Sequence, residues 1–266
     1  MRTLDVTFLG TGTSVGVPVI GCRCQVCTSE DSRDKRLRSS VLITTPKVQF
    51  VVDTGPDFRS QCLRAGIRHL DAALFTHAHT DHIMGFDDLR RFTVGADATL
   101  PVYARPSVLA DLARIYEFAF NGQNRYPGYL KPEPHPVLGP FDLGDLTVTP
   151  LPVSHGKVET IGYLFSHHGH PLLAYLPDCK SVSDQATNAI RGVHSLVLDA
   201  LRHSPHPTHM NIDEATAFSS AVGARHTYFT HLADEILHAR DSALLPDRIT
   251  LAHDGLTFRI PLTGSD

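Results

Sequence analysis

Four side chains that can bind metal ions lie within six consecutive residues, HAHTDH in one-letter code. They are His77, His79, Asp81 and His82; histidine is the commonest metal ligand in proteins, and carboxylate oxygen is another. In an extended stretch His77 and His79 point the same way, because side chains alternate with a period of two. Asp81 and His82 follow after the chain turns, so they are placed to serve a second ion. The spacing predicts a metal-binding site rather than a polar surface loop.

Apolar runs that predict strands lie before this cluster and before three other polar side chains. Residues 70–76 precede the HAHTDH run, and the other three side chains are His155, Asp178 and His231. A loop at a strand end is held by the sheet beneath it, so side chains from several strand ends can converge on one point. The shared placement predicts that His155, Asp178 and His231 complete the centre.

Strand and helix patterns alternate along the chain. Short apolar β-rich runs predict strands at residues 6–9, 41–44, 50–52, 72–75, 102–104, 146–151, 162–165, 172–176, 195–198 and 227–229. Helical periodicity predicts helices at residues 58–66, 87–92, 107–120, 183–191, 212–222 and 234–244. Asn211 and Glu214 form a predicted capping box, and Asp254-Gly255 predicts a hairpin near the end of the sequence. This order favours an α/β fold in which helices flank two sheets.

The composition restricts the class of protein. With 266 residues, of which 42% are hydrophobic, the chain is long enough for one large α/β domain with a substantial core. A net charge of −4 disfavours a general polyanion binder, so we expect no nucleic-acid partner. The apolar run at the N-terminus is too short for a signal peptide, and no stretch is long enough to span a membrane. These features predict a cytoplasmic protein without a membrane partner.

Three of the five cysteines are clustered as Cys22, Cys24 and Cys27. In a chain with no export signal, this distribution suits a metal site or free thiols better than a disulfide framework. Three thiolates can occupy three corners of a tetrahedral zinc, so a structural zinc loop is predicted at about residues 21–28. The glycine-rich residues 10–18 just before it lack the ending of a P-loop. A tight turn beside the site is favoured there, and direct phosphate contact is the alternative.

The order His-x-His-x-Asp-His, then a later His, a later Asp and a final His, resembles the signature of the metallo-β-lactamase superfamily. Asp53, in an Asp-Thr-Gly sequence after residues 50–52, matches the second motif of that superfamily. The resemblance runs from about Val6 to about Ile260. It implies a four-layered αββα sandwich, here a single domain over residues 1–266, with a binuclear site on one edge.

The resemblance also implies how the ligands divide between two ions. One ion is expected to bind His77, His79 and His155. The other is expected to bind Asp81, His82 and His231. Asp178 would bridge the ions, and Asp53 would orient a ligand histidine. Two divalent ions, manganese or zinc, about 3.5–4 Å apart would share a hydroxide for in-line attack, steered by Asp178. The bridging carboxylate argues against β-lactam chemistry.

The Cys-rich segment narrows the resemblance. Together with the ligand set it resembles the phosphoribosyl cyclic phosphate phosphodiesterase branch, associated with carbon–phosphorus lyase phosphonate breakdown. In that branch the fourth ligand of the structural zinc is a histidine three residues after the last active-site histidine. Asp234 stands at that position here, and carboxylate oxygen can also bind zinc. His238, one helical turn further on, is the alternative ligand.

The same branch places a histidine near the substrate phosphate, ahead of a helix. His209 occupies that place here. It is expected to bind a phosphate oxygen or to protonate the leaving alkoxide, which suits general acid chemistry near pH 7. Its neighbours His203 and His206 are the alternatives.

These features predict a metal-dependent hydrolase, a phosphodiesterase acting on a small cyclic phosphate ester or a nucleotide-like substrate. The alternatives are an RNA-processing nuclease, a thioesterase or lactonase of the same fold, and a non-catalytic metal-binding relative. The nuclease would need a basic arm that grips tRNA, and the sequence contains no such insertion. A homodimer is suggested by the resemblance alone.

Two regions leave their role open. Residues 116–136 contain the aromatic and basic side chains of Phe118, Phe120, Arg125, Tyr126, Tyr129 and Lys131. They form either a helix and loop packed on the surface or at a dimer contact, which is favoured, or a lid that stacks a base or sugar. The arginines in the predicted helices could contact phosphate or simply face solvent; they are Arg59, Arg90 and Arg91.

Overall fold

The computed structural model describes residues 2–95, 98–122 and 128–262. The strands are β1 Thr3–Gly10, β2 Ser40–Thr44, β3 Gln49–Val52, β4 Ala72–Leu74, β5 Leu100–Ala104, β6 Pro132–Pro136, β7 Phe141–Leu143, β8 Leu146–His155, β9 Val158–His167, β10 His170–Leu176, β11 Ser181–Val182, β12 Ser195–Asp199, β13 His226–Thr230, β14 Ile249–Leu251 and β15 Thr257–Pro261. The α-helices are α1 Phe58–Ala65, α2 Thr80–Ile83, α3 Pro106–Ile115, α4 Glu117–Phe120, α5 Asp184–Ala189, α6 Ile212–Val222 and α7 His238–Ser242. Ser32–Asp34 and Phe86–Thr93 are 3-10 helices.

The strands form two sheets. The first has the order β15-β1-β2-β3-β4-β5-β6, and the second has the order β11-β8-β9-β10-β12-β13-β14, with β7 paired to β8. In the first sheet β3 to β6 are parallel, and in the second β10, β12, β13 and β14 are parallel. The carboxyl ends of parallel strands meet at one edge of a sheet, where loops carry function without disturbing the layers.

Alternating burial divides the interior into three apolar layers. Val41 and Ile43 of β2 face the second sheet, whereas Leu42 between them faces the helices outside the first sheet. In β10, Tyr175 lies in the layer between the sheets, and Leu176 lies under α5 and α6. This period of two is the reason each sheet buries both faces. The order of layers is helix, sheet, sheet, helix, so the predicted αββα sandwich is confirmed.

Contacts between the sheets hold the loop after β4. The hydroxyl of Tyr163, fully buried in the second sheet, donates to the carbonyl of Phe75 at 2.7 Å. The amide of Ile161 donates to the carbonyl of Thr76 at 3.1 Å. A buried backbone carbonyl without a partner would cost free energy, so these bonds favour one position of the chain. They lie immediately before His77 and therefore place the HAHTDH run against both sheets.

The predicted hairpin at Asp254-Gly255 is wrong. β14 pairs in parallel with β13 in the second sheet, whereas β15 pairs antiparallel with β1 in the first sheet. The turn therefore joins the two sheets instead of pairing its flanking strands. The side chain of Asp254 accepts hydrogen bonds from the amides of Thr11 and Leu37, so tertiary contacts outweigh the local turn signal.

Three predicted helices differ from the structure. The helix predicted at residues 107–120 is interrupted at Tyr116, whose φ of −112° and ψ of 43° separate α3 from α4. The helix predicted at residues 87–92 is a 3-10 helix, and of residues 234–244 only His238–Ser242 is helical. The sequence analysis also missed β6, which contains three prolines and forms an edge of its sheet, where missing amide donors are tolerated. Within the described residues, no helix has the length and hydrophobicity needed to cross a membrane.

Candidate metal centre

The HAHTDH run spans the end of an extended segment and the start of α2. His79 has extended backbone angles, φ −66° and ψ 150°, and precedes the helix, while Asp81 and His82 lie in its first turn. His155 ends β8, Asp178 follows β10, and His231 follows β13. The structure therefore brings the seven predicted ligands to the same edge of the sandwich, and six of them are buried.

Three histidines form the first group of this edge. The Nε2 atom of His77 lies 2.9 Å from Nδ1 of His79, and Nε2 of His155 lies 3.3 Å from the same Nδ1. One nitrogen from each ring lies within 4.8 Å of the others. This is the set that the resemblance assigned to one ion, and three imidazoles of this kind suit zinc or another transition metal.

Two carboxylates and two histidines form the second group. Asp178 Oδ2 lies 2.6 Å from His82 Nε2, and Asp178 Oδ1 lies 2.9 Å from His231 Nε2. Asp81 Oδ2 lies 3.2 Å from His82 Nε2 and 3.7 Å from His231 Nε2. Asp178 Oδ2 is also only 3.5 Å from Nε2 of His77, in the first group. Asp178 thus lies between the two groups, which is where a carboxylate shared by two ions must lie.

The buried polar atoms of the second group fit a cation. Among the described residues, His82 Nε2, His231 Nε2 and Asp178 Oδ1 are buried without a directed hydrogen bond. Burial alone lowers the pKa of His231, but the charge of Asp178 outweighs it and raises that pKa to about 10. Burial raises the pKa of Asp178, and the charges of His231 and His82 outweigh burial and hold it well below its usual range. The carboxylates therefore attract positive charge to the nitrogens that a divalent ion would contact.

Carboxylate and carbonyl acceptors set the tautomers of two ligand histidines. Asp53 accepts hydrogen bonds from the amide and hydroxyl of Thr76, both at 2.9 Å, and contacts His82 Nδ1 at 2.7 Å. His155 Nδ1 donates to the carbonyl of Thr208 at 3.0 Å. With the proton on Nδ1, the Nε2 lone pair of each neutral ring points into the centre. Asp53 has a φ of 64°, a conformation that aspartate tolerates better than most residues.

His209 lies beside the second group and contacts a carboxylate that the sequence analysis missed. Its Nδ1 lies 2.7 Å from Asp199 Oδ2 and 3.7 Å from Asp178 Oδ1. Asp199 ends β12 and also accepts from the amide of Cys179. The sequence contained a signal for Asp199, because this residue follows an apolar run just as Asp178 does. Only the fold shows that it lies behind His209.

Burial shifts the pKa values of His209 and Asp199 so that the neutral form of each side chain is favoured. Burial, followed by the charge of His231, lowers the pKa of His209 to about 4. Burial also raises the pKa of Asp199 well above its usual range. A buried acid–base pair is most stable with one shared proton and no net charge. The pair therefore holds a proton next to the centre.

The predicted zinc loop converges on Asp234. Its Oδ2 lies 3.3 Å from Cys22 Sγ, 3.6 Å from Cys24 Sγ and 3.7 Å from Cys27 Sγ. The amides of Cys24 and Cys27 point at the sulfurs of Cys22 and Cys24, both at 3.4 Å. The bond from the Cys27 amide lowers the pKa of the Cys24 thiol, whereas burial raises the pKa of Cys27 to about 12. His238, the alternative ligand, is not part of this group; its ring faces His253 instead.

Buried contacts join this loop to the segment after His231. The guanidinium of Arg36, fully buried, donates to Asp34 at 2.9 Å and to the carbonyls of Ala233 and Ile236 at 3.1 and 2.7 Å. Each of these acceptors reduces the cost of burying the charge. The segment that supplies Asp234 is thereby held against the Cys-rich loop.

The glycine-rich residues 10–18 form a tight turn, as favoured. A Cβ on Gly10 would lie 1.9 Å from the carbonyl of Arg38, so the backbones are in close contact there. The amides of Gly12, Thr13 and Gly16 donate to protein carbonyls. These donors are occupied, which disfavours the alternative of a phosphate cradle.

The other residues considered for phosphate binding or catalysis have contacts outside the metal groups. His203 is exposed and faces Asp241 at 3.4 Å. Arg59, Arg90 and Arg91 line a groove of about 560 Å³ between α1 and the 3-10 helix Phe86–Thr93.

Within the segment 116–136, Tyr116 and Phe120 pack against α2 and the 3-10 helix that follows it. Phe120 stacks on Phe86 with ring centroids 5.8 Å apart, and the hydroxyl of Tyr116 donates to the carbonyl of Ile83 at 3.0 Å. Lys131 is buried and donates to the carbonyl of Gly95. Tyr129 is partly exposed and near Phe118, while Arg125 and Tyr126 lie outside the described residues. These contacts support the packing role.

Comparison with known proteins gives the family. The family described as "Beta-lactamase superfamily domain" matches residues 49–232. A crystal structure described as a new diphosphatase from the PhnP family is 40% identical, with a TM-score of 0.90, covering 98% of both chains. The chain belongs to the beta-lactamase superfamily, and its fold is the metallo-β-lactamase fold. Family and site together confirm the predicted enzyme class, a metal-dependent hydrolase.

Two further relatives have other names. An octanoyltransferase of Porphyromonas gingivalis is 39% identical over 255 residues, which cover 94% of this chain but 50% of that protein. The chain therefore spans only half the length of that relative. Coenzyme PQQ synthesis protein B of Methylorubrum extorquens is 28% identical over 228 residues, covering 74% of this chain and 72% of that protein. Zinc-bound PqqB from Methylobacterium extorquens shares the fold, with a TM-score of 0.76, 23% identity and coverage of 96% and 99%.

Proposed function

We propose that the protein is a binuclear phosphodiesterase that hydrolyses a small cyclic phosphate ester or a nucleotide-like substrate. The observation that carries the proposal is the position of Asp178, within 3.5 Å of ligand nitrogens in both metal groups. A carboxylate in that place holds two cations together, and paired cations suit the in-line displacement of phosphate esters. The similar PhnP-family protein is named a diphosphatase, which supports chemistry on phosphate esters and anhydrides.

Seven side chains would hold the two ions. They are His77, His79 and His155 in one group, Asp81, His82 and His231 in the other, and Asp178 between them. When bound, manganese or zinc ions supply Lewis acidity and lower the pKa of a water toward neutrality. The protein supplies the fixed orientation: Asp53 and the carbonyl of Thr208 hold His82 and His155 with Nε2 toward the centre.

His209 and Asp199 would move the proton that the leaving group needs. Cleavage of a phosphodiester leaves an alkoxide, which must be protonated near neutral pH. His209 lies against the centre, with ring centroids 4.7 Å from His155 and 4.8 Å from His231. Burial keeps Asp199 protonated and His209 neutral, so Asp199 would donate to Nδ1 at 2.7 Å and the ring proton would be on Nε2. Nε2 would give this proton to the leaving alkoxide while the proton of Asp199 passes to Nδ1.

A third ion would be structural. We propose that Cys22, Cys24, Cys27 and Asp234 bind zinc, since their ligand atoms lie within 4.8 Å of one another. The site is closed by four protein ligands, as structural zinc sites are.

Turnover of cyclic phosphates tests the function. Protein loaded separately with manganese and zinc is assayed with bis(p-nitrophenyl) phosphate, a panel of cyclic phosphates and cyclic nucleotides, and an octanoyl thioester. We expect phosphodiester turnover. Hydrolysis of the thioester alone would favour the thioesterase alternative, and no turnover by fully metallated protein would favour a binding role.

Two histidine variants test the proton donor. His209→Ala should lower kcat by about 10²–10⁴-fold with both ions retained, the range of general acid catalysis. His203→Ala is the matched control, since His203 faces Asp241 and solvent. If His209→Ala keeps wild-type turnover with both metals bound, the role of His209 is refuted.

A further inference from the structure

An ion pair joins the segment after β10 to the start of α6. The ammonium of Lys180 donates to both carboxylate oxygens of Glu214, at 2.7 and 2.8 Å. Lys180 lies two residues after Asp178, and α6 begins three residues after His209. The pair therefore connects two segments, of which one carries the carboxylate between the metal groups and the other carries the proposed proton donor.

The carboxylate of Glu214 is oriented by a second contact. Its Oε2 atom accepts from the amide of Asn211 at 2.9 Å, and Oδ1 of Asn211 accepts from the amide of Glu214 at 2.8 Å. These two bonds form the capping box of α6 and set where the helix begins. The hydrogen bond from Lys180 lowers the pKa of Glu214, so this side chain is ionised near neutral pH. One carboxylate thus holds both the helix terminus and Lys180.

Backbone hydrogen bonds extend this contact to the metal centre. The amide of Lys180 donates to the carbonyl of Ser154 at 2.7 Å, one residue before His155. The amide of Met210 donates to the carbonyl of Cys179 at 2.9 Å. A shift of the segment after β10 would therefore be transmitted to a ligand of the first metal group and to the loop that precedes α6.

Asp178 and His209 are held at a distance that no direct bond fixes. Oδ1 of Asp178 lies 3.7 Å from Nδ1 of His209, which is too long for a hydrogen bond. The relative position of these two side chains therefore depends on the segments that carry them. A misplacement of roughly 1 Å can reduce turnover about 10²-fold, because reacting groups must be aligned.

The ion pair is too exposed to contribute much to folding. The side chains of Lys180 and Glu214 are 29% and 41% exposed, and ion pairs at such positions are screened by water. The pair nevertheless restricts movement, because one ammonium contacts both oxygens of a carboxylate that the helix terminus already holds. Position, rather than stability, is therefore the property that this pair controls.

We propose that Lys180 and Glu214 are positioning residues that keep Asp178 and His209 aligned for proton transfer to the leaving group. The inference rests on the proposed phosphodiesterase function. Both side chains act through the segments that carry Asp178 and His209, and neither needs to contact the substrate.

Leaving groups that differ in their need for a proton test the proposal. p-Nitrophenolate leaves without protonation, whereas the alkoxide of a cyclic nucleotide needs a proton. Glu214→Gln keeps a capping-box side chain but removes the charge. For the cyclic nucleotide that the wild-type protein hydrolyses fastest, we expect kcat of this variant to fall up to about 10²-fold. For bis(p-nitrophenyl) phosphate kcat should fall much less, with KM and bound metal unchanged. Equal loss with both substrates would show general damage to the site and would overturn the proposal.

Lysine variants separate positioning from substrate binding. Lys180→Met should reproduce the effect of Glu214→Gln, and the double variant should be no worse than either, because both changes break the same contact. Lys180→Arg retains the ion pair and should keep most of the activity. A raised KM with unchanged kcat in Lys180→Met would show that Lys180 binds substrate and would contradict its positioning role. Arg259→Met is the matched control, since it breaks the ion pair of Asp5 and Arg259 on β1 and β15 and should leave kcat unchanged.

Crystal structures of the metal-loaded wild-type protein and of Glu214→Gln provide a measurement that does not require turnover. We expect the distance between Asp178 Oδ1 and His209 Nδ1 to change by roughly 0.5 Å or more, the tolerance of a catalytic arrangement. An unchanged distance would overturn the proposal whatever the kinetics. A changed distance in a protein that hydrolyses no phosphodiester would support the positioning role and count against the proposed function alone.

Discussion

The metal centre at the strand ends and the Cys-rich loop are both groups of side chains that could hold metal ions, but they are positioned differently. The first is supplied by strand ends and by α2, beneath which three apolar layers are packed. The second lies in residues 11–38, where the only helix or named strand among the described residues is the 3-10 helix Ser32–Asp34. Its apolar cluster has Val17, Val26 and Cys27 as its buried members.

We infer that this difference separates the roles of the proposed ions, chemistry in the first region and folding in the second. A site built on a packed sheet is largely formed before a metal binds, so we expect its ions to serve chemistry. A loop with a small apolar core cannot offset the entropy of ordering its chain, so its ion contributes to folding. Residues 231–234 join the two regions, because His231 belongs to one and Asp234 to the other.

Asp178→Asn should have the largest effect on activity. If this variant unfolded the protein, the distinction between a preformed catalytic centre and a metal-dependent loop would be wrong. If Asp178 bridges two ions, as proposed, loss of its charge removes several kcal/mol of stabilisation in the transition state. We expect turnover of bis(p-nitrophenyl) phosphate to fall about 10³-fold or more. Bound metal should decrease while the circular dichroism spectrum stays unchanged. Wild-type turnover in this variant would contradict the bridging role.

Asp53→Asn should weaken metal binding at the same centre, because Asp53 contacts Nδ1 of His82 and orients its ring. An amide in place of the carboxylate cannot accept from all three donors, namely His82 Nδ1 and the amide and hydroxyl of Thr76. Metal affinity should fall about 10–100-fold, measured by competition with a chelating dye. Saturating metal should restore part of the activity. Unchanged affinity would show that His82 needs no such partner.

Cys24→Ser should affect the other region and leave the sheets intact. Loss of one thiolate should release the structural zinc and expose residues 11–38 to hydrogen exchange and limited proteolysis. Activity should fall only a few-fold, through the link to His231. Cys62→Ser, outside the metal groups, is the matched control. Global unfolding of Cys24→Ser would contradict the distinction drawn between the regions.

Asp234→Asn compared with His238→Ala should give the smallest effect on activity and would sharpen the ligand assignment. Asp234 Oδ2 lies within 3.7 Å of three sulfurs, whereas His238 lies outside the group. Zinc content after dialysis should decrease in Asp234→Asn and stay at wild-type level in His238→Ala. The reverse result would assign the fourth position to His238.

Local sequence patterns predicted the parts of the site that depend on neighbouring residues. The HAHTDH run and the isolated polar residues after apolar strands identified seven candidate ligands. They could be found because a polar side chain directly after an apolar run can be recognised from the sequence alone. The capping box of Asn211 and Glu214 was also predicted correctly, because it depends only on residues close together in the sequence. Asp199 had the same pattern, yet nothing local distinguished a ligand candidate from a partner of His209.

Contacts between distant residues decided the rest. Asp254-Gly255 is a favourable hairpin sequence, but its flanking strands pair in different sheets because Asp254 binds the amides of Thr11 and Leu37. The choice between Asp234 and His238 depended on where the chain after β13 meets the Cys-rich loop. The sequence by itself determined which side chains can bind metal. Tertiary structure decided which of them meet, because convergence depends on hydrogen bonds and packing between elements far apart in the chain.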